Sequence, residues 1–148
     1  MYAIRVRAEE AVVEVVVSGR PAPEEAMRAV SQAFALAEAG SISRALCDLI
    51  AVGRDAPGIA VLGATLAARI GPDQRVAVVC AKTQLAFCRR LARRTGFGDN
   101  LGIFTREADA RAWLTAPSGH GTLSGPARRH LLPADRVAES ARETRAAS

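Results

Sequence analysis

The chain has 148 residues, a formal net charge of +5 and 49% hydrophobic residues, enough for one compact core and too little for two ordinary domains. No apolar run approaches the ~20 residues that span a bilayer, and the N-terminus lacks the charged-then-apolar order of a signal peptide, so a cytoplasmic protein without a membrane span is expected. Cys47, Cys80 and Cys88 form an odd set without CxxC spacing, which argues against a disulfide framework or thiolate metal site and marks them as buried, small apolar residues.

Tyr2, Ile4 and Val6 alternate with Ala3, Arg5 and Arg7, the two-residue period of a strand with one face in the core. After the Glu9-Glu10 turn, Val12 to Val17 is almost continuously β-branched, as in a strand covered on both faces. Pro23 at a first-turn position, followed by Glu24-Glu25, starts a helix that Gly40 ends. Ala26, Val30, Ala33, Phe34 and Ala37 are its predicted buried face.

Ala45 to Ile50 is a short apolar run of buried-strand length. A second helix begins near Asp55 to Pro57, where Asp55 is a candidate cap, and runs to the Gly71-Pro72-Asp73 breaker with Leu62, Leu66 and Ile70 inward. Val76 to Cys80 is a further strand. Thr83 opens a third helix with Phe87, Cys88 and Leu91 facing in, closed by Gly96 and Gly98. Leu101 to Phe104 is a last strand, and Thr105 is a candidate cap for a helix carrying Ala110, Trp113 and Leu114.

Strands separated by helices of this length need crossover connections. The expected fold is one small α/β domain over residues 1–114, a mixed, mostly parallel five-stranded sheet with about four helices, only its first hairpin antiparallel. From Thr115 onward Pro, Gly, Ser and Ala dominate, so residues 115–148 are expected to be a flexible, disordered basic tail. Val137, Ala138 and Ala141 permit at most a short helix there.

The element order and two local stretches resemble the STAS domains of sulphate transporters and anti-sigma factor antagonists. The ending Phe104-Thr105-Arg106 through Ala110-Arg111-Ala112-Trp113-Leu114 is similar to the strand-to-helix ending of the bacterial STAS-like group related to the sporulation anti-sigma factor antagonist. Arg75 to Ala81 fits that group's fourth strand. Asp48 to Val52, then Asp55 to Leu62, resembles the family's loop and helix start.

The resemblance implies a STAS-like fold and a regulatory, non-enzymatic module that binds a protein partner. It also implies an acceptor Ser or Thr just after the second Asp, where a kinase adds phosphate at a helix N-terminus and the new charge switches partners. Ala56 and Pro57 stand there instead. That switch is therefore not expected in this chain, and Thr65, two turns inside the helix, is a poor substitute.

The residues themselves offer little catalysis. His120 and His130 fall in the expected tail, so no Cys-His or Ser-His pair lies inside the domain. Cys80 sits between strand and helix, but a phosphatase-like loop needs Arg six positions later and Ala86 is there. No catalytic residue, cofactor or metal site is expected: the Asp residues lack a His or Cys partner at ligand spacing, and no glycine pattern makes a nucleotide-binding loop.

In a mostly parallel sheet, ligands collect beyond the carboxyl ends of the strands. Asp48, Arg54, Asp55, Gly58 and Ile59 are therefore the candidate partner- or ligand-binding residues. Lys82, Arg89, Arg90, Arg93 and Arg94 form a cationic stripe that is either a solvated outer face or a face for an anionic partner. Residues 1–114 carry 15 basic and 12 acidic side chains and the remainder 5 and 3, so neither part is a polybasic arm and nucleic acid is disfavoured. A protein partner is expected first, with a small apolar or anionic metabolite held between the sheet and the second helix as the alternative.

Overall fold

The β-branched segments are central to a five-stranded sheet because their side chains are buried on both faces. The computed structural model describes residues 1–96 and 98–117; the expected tail at 115–148, with both histidines, lies outside them apart from its first three residues. The strands are β1 (Tyr2–Arg7), β2 (Val12–Gly19), β3 (Arg44–Val52), β4 (Arg75–Val79) and β5 (Leu101–Phe104). They lie side by side in chain order. β1 and β2 are antiparallel, and every later pair is parallel.

Four α-helices complete the fold: α1 (Pro23–Ala39), α2 (Gly58–Arg69), α3 (Leu85–Thr95) and α4 (Glu107–Thr115). The first three connect parallel strands and so pack on one sheet face, as crossovers of one hand require. The mixed, mostly parallel α/β architecture expected from the sequence is the one observed. Met1–Ala116 packs as one compact unit.

The larger core layer lies under α1 and α2. Val13, Val15, Val17, Cys47, Leu49, Val76 and Val78 from the strands meet Ala26, Ala29, Val30, Ile59, Leu62 and Leu66 from the helices. Each fully buried Val or Leu stabilises the fold by about 1.5–3 kcal/mol relative to exposure. Alanine dominates α1's inner stripe, letting its backbone approach the sheet closely. Ala29 lies fully within that stripe and Phe34 only at its margin, because the helix presents the 26, 29, 30, 33, 37 face.

The opposite layer is smaller. Val12, Leu46, Ala77 and Val79 meet Ala110 and Leu114 of α4, with Phe104 and Trp113 at the edge. The Arg75 guanidinium lies 4.2 Å from the Trp113 ring centroid and donates to the Ala116 carbonyl at 2.8 Å, which fixes the end of α4. Glu14, buried in this layer, pairs with Arg7 at 3.0 Å and Arg111 at 3.5 Å. Arg111 also meets Glu10 and Glu107, so an ionic network ties α4 to the first hairpin.

Local expectations fail where tertiary contacts replace local ones. Val6 is 46% exposed, because β1 is an edge strand and the partly buried Tyr2 and Ile4 are its residues packed against the core. Phe87 is 43% exposed; Cys88 and Leu91 face inward as expected, joined by Leu85 and Ala92 in place of Phe87. Thr83 does not open that α-helix directly, since a 3₁₀ turn at Lys82–Gln84 precedes it. Gly96 ends it in the left-handed conformation at φ 69°, which glycine adopts without Cβ strain.

Neither expected side-chain cap forms. α2 starts at Gly58 and has no side-chain cap bond from Asp55. The Gly58 N–H donates to the Pro21 carbonyl at 3.1 Å, and the Ile59 N–H to Ala56 at 3.2 Å. Backbone acceptors thus satisfy donors that a carboxylate would otherwise take. At α4 the cap position is Arg106, again without a side-chain bond from Thr105.

Candidate functional site

The carboxyl ends of β2 and β3 are held together by backbone bonds that shape the loop after β3. The Gly53 N–H donates to the Gly19 carbonyl at 2.8 Å, and the Ala56 N–H closes a turn onto Gly53 at 3.0 Å. Gly58 is pressed against the β2–α1 connection: a Cβ there would sit 2.7 Å from the Pro21 carbonyl oxygen. Only glycine allows α2 to start so close to that chain. Arg54, Asp55 and Pro57 are left exposed at the rim, whereas Ala56 is buried.

Gln84 joins this loop to the next one. Its amide is buried at 4% exposure; Nε2 donates to the Val52 carbonyl at 2.7 Å, and Oε1 accepts from the Ala81 N–H at 3.4 Å. One side chain from the β4–α3 connection therefore holds the end of β3. Gln84 carries no signal in the sequence, since its partner lies 32 residues away and no local pattern announces it.

Between the two connections lies an open groove of about 470 Å³. Arg54, Asp55, Ala56, Pro57 and Ala60 line one side; Thr83, Ala86, Phe87 and Arg90 line the other, with the buried Ile59 and Gln84 also bordering it. Its surface is largely apolar with charged groups among it. The exposed Phe87, expected in the core, thus belongs to this rim. By contrast, the space between the sheet and α2 is about 30 Å³.

The structure brings some candidate residues together and separates others. Arg54, Asp55 and Arg90 meet at the groove. Gly58 and Ile59 belong to it as support, because both are buried and Ile59 is only 4% exposed. Asp48 does not line it. β3 carries an extra residue here, so that Val16 pairs with Asp48 but Ser18 pairs with Ala51, and Asp48 Oδ1 accepts from the Ile50 N–H at 2.9 Å. Its carboxylate is engaged in stapling a β-bulge, a device that bends a strand end.

Lys82, Arg89, Arg90, Arg93 and Arg94 are all exposed along the 3₁₀ turn and α3. Among the described residues, none of the five pairs with a carboxylate; Arg5, Arg20, Arg28, Arg44, Arg54, Arg69 and Arg75 do not either, so what sets the five apart is their crowding on one short segment without an acidic residue, while Arg7, Arg106 and Arg111 are paired. Arg89 with Arg93, and Arg90 with Arg94, are like charges one turn apart, each pair costing the isolated helix roughly 0.2–0.5 kcal/mol. Arg93 and Arg94 recover part of this in the last turn, near the negative helix end.

The cysteines are packed inside. Cys47, Cys80 and Cys88 are buried as free thiols. Burial pushes the Cys47 and Cys88 thiols up to about 12 and raises that of Cys80. The environment therefore disfavours the thiolate that a nucleophile requires. Among the described residues no group of three or more His, Cys, Asp or Glu side chains could hold a metal ion, and no helix is long and apolar enough to cross a membrane.

No protein-family model matches the chain, and no curated protein does. Among solved structures, it is similar to an anti-sigma factor antagonist from Mycobacterium paratuberculosis, with 25% identity, 77% of this chain and 94% of that chain covered, and a TM-score of 0.52. The strand order, the single antiparallel hairpin and this likeness together give the chain a STAS-like fold of the anti-sigma factor antagonist type.

Proposed function

We propose that the chain is a cytoplasmic, non-enzymatic regulatory module that docks onto a protein partner through the groove between residues 53–60 and 82–90. The observation that carries this is the groove's position. It lies beyond the carboxyl ends of parallel strands, where connecting loops supply recognition groups, in a fold similar to that of an anti-sigma factor antagonist. Arg54, Asp55, Ala60, Phe87 and Arg90 supply its contact surface, with Gly58, Ile59 and Gln84 holding the two walls in place.

The loop has no hydroxyl at Ala56 or Pro57, so partner choice at this position is set without a phosphate. The alternative of a small metabolite between sheet and α2 finds little support, because about 30 Å³ matches one water. Ala60 is exposed on the groove wall. Ala60→Arg fills the groove without disturbing the core, and Ala112→Arg, on exposed α4 surface, is its control. Affinity capture with the full chain is expected to recover a partner that is lost with Ala60→Arg and kept with Ala112→Arg. Equal recovery by both would overturn this surface.

A further inference from the structure

The chain's excess charge is carried by one short segment. Residues 82–95 contain one Lys, four Arg and no Asp or Glu, which equals the formal net charge of +5, so the remaining residues balance to zero. Among the described residues those five cations pair with no carboxylate of the chain, and they crowd like charges along α3. Such concentrated, uncompensated charge steers an oppositely charged partner. It borders the apolar groove directly, since Arg90 lines that groove beside Phe87.

We propose that α3 and the groove together receive an acidic amphipathic segment of a protein partner. Its apolar side chains enter the groove against Phe87, Ala60 and Ala86, and its carboxylates pair with Arg89, Arg90, Arg93 and Arg94. This inference rests on the docking reading above and specifies the chemistry of what docks. Arginine is suited to the role because its planar fork binds carboxylates in pairs.

The groove decides between anionic partners. A nucleic-acid backbone would engage the α3 arginines but leave an apolar depression empty and bring phosphates to the Asp55 carboxylate on the opposite wall. A lipid headgroup surface meets the arginine tips but does not enter a concave site. An amphipathic segment uses both features, as apolar anchors in a groove with charges at the rim do in helix recognition.

The test is fluorescence anisotropy with the full chain and a labelled synthetic Glu/Leu peptide whose leucines form one helical stripe. The comparison probes are the same composition scrambled, a short DNA duplex, and vesicles of phosphatidylserine and phosphatidylcholine. The striped peptide is expected to bind, and the scrambled one roughly tenfold more weakly because its apolar groups no longer reach the groove together.

Arg90→Gln with Arg94→Gln, both at exposed positions outside the core, should weaken the striped peptide roughly tenfold or more through lost ion pairs, as should Phe87→Ala through the lost anchor. Equal binding of striped and scrambled peptides, or no effect of Phe87→Ala, would overturn the inference. Preference for DNA or vesicles would overturn it in favour of that other class. If a captured protein is lost with Ala60→Arg yet kept with the double Gln variant, docking at the groove stands and the acidic segment falls. If Ala60→Arg loses nothing, the docking surface itself falls.

Discussion

Replacing Gln84 by Leu isolates the bond that holds the groove's two walls. Leu is close to Gln in volume, so no large cavity opens, but the Val52 carbonyl loses a donor at 2.7 Å and the Ala81 N–H loses its acceptor at 3.4 Å. Gln84 is 4% exposed, leaving little room for water to substitute. A buried polar group stripped of its partner costs about 1–3 kcal/mol. For a domain of this size, about 1 kcal/mol corresponds to roughly 4 °C, so the melting temperature should fall by roughly 4–12 °C. Thermal unfolding followed by circular dichroism on the full chain, with Gln84→Glu as a second variant, reads this directly. A shift of less than about 2 °C, smaller than any buried hydrogen bond of this kind predicts, would refute the assignment of Gln84 as the tie.

Two further outcomes follow from the packing. Gly58→Ala places a methyl 2.7 Å from the Pro21 carbonyl, a backbone atom that cannot rotate away, and should destabilise the fold by about 1–3 kcal/mol in denaturant titrations. An unchanged midpoint would show that the β2–α1 connection yields freely. The native Cys47 and Cys88 thiols remain protonated up to about 12, against an ordinary value of 9.0. Unfolded thiols ionise first, so the native state holds more protons and stability falls as pH rises through that window. Urea midpoints should drop between these limits, and a thiol reagent at pH 8 should label none of the three without denaturant; rapid labelling of the native chain would contradict their burial.

The sheet and the helices were legible because local and long-range preferences agree in them. Pro23 and Gly40 bracket α1, and the β-branched run at Val12 to Val17 names a doubly covered strand whatever its neighbours are. The STAS likeness was legible in the short ending around Trp113-Leu114. Phe87 was not: α3 has few apolar residues, and the stripes through 87, 88 and 91 and through 85, 88, 91 and 92 share two positions and differ by less than one residue's rotation. Asp55 itself does line the groove, but Asp48 as a loop residue and Asp55 as a helix cap misled, because the β-bulge and the backbone acceptor at Pro21 are supplied by distant chain. Gln84 was silent for the same reason. The groove's position was readable from the sheet rule, but its floor and its far wall depend on pairings across 30 or so residues.

The proposed docking site for a protein partner is the groove between the β3–α2 loop and α3. Photocrosslinking tests it most directly, with benzoylphenylalanine incorporated singly at positions 60, 86 and 112, all exposed in the structure, and the chain expressed in its native cells. The expected result is one discrete crosslinked protein shared by positions 60 and 86 and absent at 112. Crosslinks at 112 alone, or unrelated products at 60 and 86, would contradict it.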